Sequence, residues 1–480
     1  MVSDKAKGKT SYTILGGGPA GLMTAHLLAR DTDARVTLID RASRLGGNAG
    51  SFQVEGITTD YGSHRFHPAA EPEVMAEVKA LLGDDLLLRP RHGRIRLGGR
   101  WIHFPLKLGN ALKSLPVPFA LSLIRDMVTG PLRRAPDGPA TFSSVLLKGL
   151  GPTISKNFYF PYVRKLWGLD PDHLAVKLAE RRVSGSSVSK ILMKMARMLP
   201  GLRSETTGRF FYPRKGFGQI CQTMEESARQ NGTDIQLETG IERIERDGNT
   251  VTAVITKDKT GHETRHDGSQ ILSTIPLTAL LGAMDPPPPA EVIEAARAIR
   301  YRGMILIYMV LETGQFTEYD AHYFPEVSIP ISRMSETKNY NNVTAPEGLT
   351  VLCAELPCDP GEEWWDMSDE ELGQAFCSWL GGVDLPVNVP VKSVITRRLS
   401  HAYPVYDIDY ADRFETVDNW LESLDGLVNY GRQGLFAHDN THHAFAMSFG
   451  LADCLSPDGT FDRQKWARYR EKFSHHVVED

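Results

Sequence analysis

The chain runs to 480 residues and carries 54 basic against 59 acidic side chains, a formal net charge of -5. That length can bury a large core and predicts two or three folding units at roughly 150 residues each. The charge balance excludes a general affinity for nucleic acid, which needs a basic surface to neutralise phosphates; small anionic ligands need only local charge. Cys221, Cys353, Cys358, Cys377 and Cys454 are scattered without CxxC spacing, which argues against a zinc ribbon or a disulfide framework and for reduced core thiols in a cytoplasmic protein. No apolar leader region precedes the first strand, and no window approaches ~18 uninterrupted apolar residues, so neither a signal peptide nor an ordinary transmembrane helix is expected.

The first predicted elements lie in "YTILGGGPAGLMTAHLLARDTDARVTLID". An apolar run from Tyr12 to Leu15 meets a glycine cluster, apolar residues then recur at helical spacing (Leu22, Ala25, Leu27, Leu28), and a second run from Val36 to Ile39 ends in Asp40. This is a βαβ unit with Gly16, Gly18 and Gly21 spaced GxGxxG at its first turn, followed there by Pro19 and Ala20. The first glycine permits a tight turn, the second lets the backbone approach a pyrophosphate, and the third lets helix and strand pack closely. The helix N-terminus then faces the phosphates with its partial positive charge. Asp40 stands nineteen residues after Gly21, where an acid accepts hydrogen bonds from a ribose diol. The spacing predicts a dinucleotide site.

Next comes "DYGSHRFHP", with His64 and His67 three residues apart around Arg65. Taken alone, it suits a metal pair, a catalytic pair or two polar loop residues. "EPEVMAEVKALLGDD" predicts a helix closing at Gly83, and "GRIRLGGRWIHFP" a hairpin turning at Gly98 and Gly99. From 105 to 204 helical stretches dominate. Two of them, "LKLGNALKSLPVPFALSLIRDM" and "SKILMKMARMLPGLR", mix apolar with basic residues; they suit helices packing on neighbours or a patch resting on a membrane surface, a peripheral contact. Strand alternation returns in "IERIERDGNTVTAVITKD" and "SQILSTIPL", Pro286 to Pro289 mark a boundary, and 304 to 355 carry further strands. "SDEELGQAFCSWLGG" predicts a helix with a capping box, Ser368 and Glu371. His438 and His442 have the i, i+4 spacing of two metal ligands, but HExxH is absent, and no metal is expected.

"RASRLGG", Arg41 to Gly47, adds an Arg-x-Gly-Gly soon after the ribose acid, and the stretch resembles the flavoprotein group of amine oxidases, protoporphyrinogen oxidases and UDP-galactopyranose mutases. "GGNAGSF", with Gly46, Gly47 and Asn48, and "DYGSHRFHP" look like the mutase pattern Gly-Gly-Asn followed by Gly-x-His-x-Phe-His. "FFYPRKGFGQI" resembles the group's Tyr-Pro-Arg segment, and "YVRKLWGLDPDHLAVKLAERRV" a helical segment of the protoporphyrinogen-oxidase-like branch. "TGIERI" resembles a strand in which the backbone of Ile241 would contact adenine, and "GRQGLFAHDNTHHAF" the segment that closes over the flavin. These pieces span nearly the whole chain. The resemblance implies non-covalent FAD in a discontinuous, Rossmann-like α/β domain (1–75, 205–285 and 395–480) with an inserted α+β substrate domain (76–204 and 290–394).

Within that resemblance Gly431 would allow close approach to the pyrophosphate, and Arg432 would bond phosphate or the flavin's polar edge. Asn440, Thr441 and His442 would open a helix whose N-terminus stabilises charge at the reduced flavin. Ser63 and His64 would pass the flavin ring, with His64 at its face and His67 bracing the loop. Arg65 and Arg333 are candidate substrate contacts or structural ion pairs, and Tyr403 a candidate for the flavin face or the core. Two chemistries share these loops: hydride transfer from substrate to FAD, and redox-neutral sugar isomerisation with reduced FAD as nucleophile. Where the mutases carry tyrosines for the sugar-nucleotide diphosphate, this chain has Phe436, His438 and Asp439. Phenylalanine cannot donate to phosphate and a carboxylate repels it. The expectation is therefore an FAD-dependent oxidoreductase acting on a carbohydrate, a sugar nucleotide or a lipid-linked sugar, ahead of a mutase and of a non-catalytic flavin carrier.

Overall fold

A computed structural model of the chain describes residues 10–104, 115–134, 138–183 and 206–478. The expected first unit is present: β1 (Ser11–Leu15), α1 (Pro19–Asp31) and β2 (Arg35–Ile39). Both strands belong to a parallel sheet of five, ordered Leu427–Asn429, Gln270–Ser273, β1, β2 and Asp234–Gln236. Its strands come from three distant parts of the chain, as a discontinuous domain requires. Parallel strands bury both faces: α1 lies on one, and its Leu22, Ala25 and Leu28 share a core with Val36, Leu38, Met224 and Phe445. Met224 and Phe445 are supplied by the helices Gln219–Gln230 and Thr441–Asp453. This is the Rossmann-like arrangement, combined with a second, largely antiparallel body.

That body is a sheet of seven strands, ordered Val391–Pro404, Tyr301–Leu311, Thr350–Pro357, Arg333–Glu336, Ala321–Tyr323, Gly93–Leu97 and Arg100–Phe104. Period-two alternation sorts the strand Tyr301–Leu311. Ile305, Ile307, Met309 and Leu311 pack with Leu372, Phe376 and Leu380 of the helix Asp369–Gly381. Met304, Leu306, Tyr308 and Val310 face Val54 and Ile57, which come from the hairpin Ser51–Val54 and Ile57–Asp60. One strand thus holds a covering helix on one side and the nucleotide-binding half on the other. Val391–Pro404 crosses the boundary drawn at 395 and stays in this sheet throughout.

Local expectations hold where side-chain pattern and backbone stereochemistry agree. The helix Pro72–Leu82 ends at Gly83 with φ +51, Gly98 and Gly99 turn the hairpin with φ +59 and +73, and both hydrogen bonds of the Ser368/Glu371 box form. "SKILMKMARMLPGLR" lies outside the described residues, and the first basic stretch is described only from residue 115.

One buried carboxylate ties the halves together. Asp60 accepts hydrogen bonds from Ser51 Oγ at 2.6 Å, Tyr212 Oη at 2.6 Å and the Phe217 amide at 3.0 Å, while its own carbonyl accepts from Tyr308 Oη at 2.7 Å. Burial pushes the Asp60 carboxyl up to about 6. Asp60→Ala would strand three buried donors, each worth roughly 1–3 kcal/mol when unpaired, and should lower the unfolding free energy by about 3–5 kcal/mol in denaturant titration of the flavin-loaded protein. A loss below ~1 kcal/mol would refute the anchoring role. Because the folded pKa lies above the unfolded one, Asp60's contribution is complete below about pH 4 and declines as pH rises through 6. The wild-type to alanine difference should therefore be larger at pH 4 than at pH 7.

Candidate active site

The nucleotide turn fits its expected ligand. Gly16 has φ +99, and a Cβ there would lie 2.5 Å from Thr274 Oγ1; a Cβ on Gly21 would lie 1.9 Å from the Gly16 carbonyl. Gly18, by contrast, opens on space with nothing within 4 Å. It stands at the N-cap of α1 without any side-chain cap, with Pro19 and Ala20 opening the helix. Free amides, a helix N-terminus and room for a phosphate thus coincide. Asp40 accepts from the Gly17 amide at 2.7 Å and the Ala42 amide at 2.8 Å; its carboxylate braces the turn and keeps lone pairs for a ribose. Gly46 and Gly47 have φ +97 and +51, and the Gly46 amide donates to Gly17 at 2.8 Å. Arg41 is exposed. Ile241 stays near the acid because the Thr239 amide donates to the Asp40 carbonyl at 3.0 Å. Gly431, φ +78, packs against Ala20 and Thr274 of the same turn.

Beside that turn is a cavity lined by Asn48, Ser63, His64, Arg65, Arg333, Tyr403, Arg432, Asn440 and Thr441. These nine expected residues come from five distant segments. The remaining expected residues lie outside the lining. His442 is buried against Phe66 and His67, with ring centroids at 6.1 and 6.0 Å, and His67 accepts from the Ala69 amide at 3.0 Å, bracing its loop. His438 packs on Trp167 and Tyr406 instead, so the i, i+4 pair does not share a ligand face. Asp439, itself on the cavity wall, is approached by Arg181 at 3.2 Å and by His443 and His476, both at 3.4 Å.

Arg65 and Arg333 are held as ion pairs at the cavity wall. Arg65 reaches Asp320 at 3.2 Å and Tyr323 Oη at 3.0 Å; Arg333 reaches Glu355 at 2.7 Å. Glu355 also accepts the Ser63 amide at 2.9 Å, which fixes the loop carrying His64. Arg91, Arg182 and Glu355 are lining residues that the sequence reading did not single out. Glu355 had a signal, a lone acid in the apolar run "LTVLCAEL". Arg182 ends the helix Val176–Arg182, and nothing local distinguishes it from Arg181. Its guanidinium stands over the Trp167 and Tyr403 rings at 5.4 and 5.2 Å, and among the described residues it has no carboxylate partner. Arg432 lies 5.3 Å over Tyr403 from its own position and donates to the Ala402 carbonyl at 2.7 Å, leaving Nε unpaired.

His64 sits in this field with Nδ1 buried and unpaired. Burial, with Arg333, Arg432 and Arg65 nearby, pushes its pKa down to about 3, so the ring is neutral through the physiological range. The unfolded chain takes up this proton near pH ~6.5, so acidification between that value and 3 favours unfolding through His64. Nitrogen-15 histidine spectra should show His64 neutral from pH 8 to 5; a midpoint near 6.5 would refute this.

Comparisons with known proteins agree with this geometry. Residues 19–436 match the "Flavin containing amine oxidoreductase" family. A crystal structure of reduced UDP-galactopyranose mutase superposes with a TM-score of 0.78 at 20% identity, covering 98% of this chain and 100% of that one. A structure assigned as a protoporphyrinogen oxidase from Exiguobacterium sp. 255-15 does so at 0.69 and 20% identity, covering 92% and 97%. By sequence, the chain is 24% identical over 259 residues to a dTDP-fucopyranose mutase of Escherichia coli, covering 52% of this chain and 60% of the relative. It is 22% identical over 280 residues to a coproporphyrinogen III oxidase of Propionibacterium freudenreichii subsp. freudenreichii, covering 49% and 53%. The chain thus spans between half and two thirds of these relatives' lengths. With the family match covering most of its length, this chain belongs to the flavin-containing amine oxidoreductase family and is a flavin-dependent enzyme whose cofactor is FAD.

Proposed function

We propose that this protein is an FAD-dependent oxidoreductase that takes a hydride from a carbohydrate carrying a phosphate or diphosphate, as a sugar nucleotide or carrier-linked sugar does. One observation carries the reading: five arginines (Arg65, Arg91, Arg182, Arg333 and Arg432) line the cavity with only two carboxylates, Glu355 and Asp439. Glu355 is engaged by Arg333 and Ser63, and Asp439 by Arg181. The wall is therefore cationic, and Arg182 and Arg432, flanking Tyr403, are its least compensated members. A desolvated guanidinium favours bidentate bonding to phosphate. An FAD unit from 1–75, 205–285 and 395–480 and a substrate unit from 76–204 and 290–394 would divide these roles, with the strand Val391–Pro404, which stays in the antiparallel sheet, moving the last boundary to 405.

Bound FAD supplies a two-electron acceptor for a C–H next to oxygen or, when reduced, a nucleophile for an anomeric carbon. The chain's residues decide how substrate meets it. Arg182 and Arg432 hold the anionic end, Met304, Leu306 and Leu399 supply the apolar part of the lining, and neutral His64 offers a hydrogen-bonding ring at the reacting face without adding charge. In hydride transfer the substrate hydroxyl loses its proton as the carbon loses the hydride; a neutral imidazole can accept a hydrogen bond from that hydroxyl, while the burial and arginines that hold its pKa at about 3 work against its keeping the proton. The mutase alternative is favoured by a different observation, the match to UDP-galactopyranose mutase over 98% of the chain. Against it stand the residues replacing that group's tyrosines: Phe436 is buried at 1% exposure in the core, and Asp439 places a carboxylate at the cavity.

Anaerobic spectra separate the two readings. Candidate nucleotide sugars should bleach oxidised FAD; isomerisation by dithionite- or NADPH-reduced enzyme without net electron transfer would instead establish the mutase. Arg182→Ala should retain FAD and weaken a nucleotide-sugar ligand by about 10- to 100-fold, the range expected for losing a charge-assisted hydrogen bond worth roughly 1.5–3 kcal/mol. Unchanged affinity by calorimetry would refute the anion-binding role. His64→Ala should lose turnover while keeping FAD if the ring moves the proton, whereas retained turnover would reduce its role to shaping the pocket.

A further inference from the structure

The helix Val117–Thr129 has its amphipathicity inverted. Its one buried residue is a carboxylate, Asp126, while Val117, Leu121, Ile124 and Val128 are exposed by 70%, 61%, 52% and 73%, and Leu132 in the following turn by 85%. At 100° per residue the four helical positions fall within about 60° of one another, and Asp126 lies on the opposite side. The inward face is held firmly. Asp126 Oδ2 accepts the Thr153 amide at 2.7 Å, and Arg133 donates to the carbonyls of Asp126 at 2.5 Å, Leu147 at 3.0 Å and Lys148 at 3.2 Å. Polar anchoring inside thus fixes an apolar stripe outside, the reverse of what a water-facing helix needs.

Charge says what covers the stripe. Between residues 115 and 134 the acid is Asp126, which is buried and bonded, whereas Arg125 is exposed by 66% and Arg134 is exposed as well. The outward surface is therefore apolar with a cationic margin on a chain of net charge -5. Apolar residues that enter the acyl boundary, rimmed by arginines that meet phosphate headgroups, characterise an interfacial helix. No helix among the described residues is long and apolar enough to cross a membrane, which leaves a helix lying on the surface.

We propose that the stripe Val117, Leu121, Ile124, Val128 and Leu132, with Arg125 and Arg134, docks on an anionic phospholipid surface. The inference is independent of the reaction proposed above. Flotation of the flavin-loaded full chain with phosphatidylglycerol/phosphatidylcholine vesicles at low salt should carry it upward. Leu121→Glu combined with Val128→Glu should reduce the bound fraction at least tenfold with FAD content and circular dichroism unchanged, and Arg125→Glu should reduce it further. Hydrogen exchange on the wild type supplies a readout free of substitutions: 117–132 should gain protection on vesicles. Failure to float at low salt, equal binding to neutral phosphatidylcholine vesicles, or no protection of 117–132 would each overturn the proposal. So would a dimer seen by light scattering that the double variant dissolves while vesicle binding stays absent, since the occupant would then be a second copy of the chain.

Discussion

Asp60 accepts Ser51, Tyr212 and Phe217 with its side chain and Tyr308 with its backbone, so one residue joins the hairpin that follows the glycine pair, the Tyr-Pro-Arg turn and the strand Tyr301–Leu311 of the antiparallel sheet. A carboxylate away from water holds its place only when its lone pairs are used, which makes this arrangement all-or-none. The residues immediately following it are Tyr61, Gly62, Ser63, His64 and Arg65, all on the cavity wall. Gly62 takes φ +99 with the Glu355 carboxylate 3.3 Å from where a Cβ would stand, and the Ser63 amide donates to that carboxylate. The orientation of His64 thus depends on two buried acids, one before the loop and one across from it.

The second constraint is electrostatic. Arginines on the cavity wall are individually satisfied to different degrees: Arg333 and Arg65 by carboxylates, Arg432 by a carbonyl, Arg182 by aromatic faces. Burial first, and then the field of Arg333, Arg432 and Arg65, keeps His64 neutral, and the summed charge of these arginines makes the cavity receptive to anions. The glycine turn on the other side of Gly431 offers helix-terminal amides to phosphate in the same way. Cofactor and substrate would therefore be recognised by one physical principle applied twice, with backbone amides at one end and guanidinium groups at the other.

The site was partly legible before the fold was known. Glycine positions were readable because a positive φ or an absent Cβ is a local property of the chain, and Gly16, Gly21, Gly46 and Gly83 carry it as expected. The loop "SHR" and the segment containing Arg432 were readable through their resemblance to a family. Whether Arg65 and Arg333 were ion pairs or free cations was not, since Asp320 and Glu355 lie 255 and 22 residues away in the chain. His438 and His442 illustrate the converse: their spacing fits a shared ligand face, yet Phe436 has φ +46 and His438 precedes the helix that begins at Thr441, so i, i+4 geometry never applied to the pair.

What the sequence by itself determined is the set of local commitments: the βαβ unit with its phosphate turn, the hairpin at Gly98 and Gly99, the capped helix at Ser368, and hence a dinucleotide-binding α/β chain. These follow from stereochemistry and periodicity over a few residues, which no distant contact needs to supply. Tertiary structure alone decided that Arg182 and Arg432 both stand over the Tyr403 ring, that Glu355 pins the His64 loop, and that the helix from Val117 turns its apolar side outward. Each is a matter of which segments, far apart in the chain, are brought within a few ångströms or left facing solvent, and charge and burial act through those distances rather than through sequence spacing.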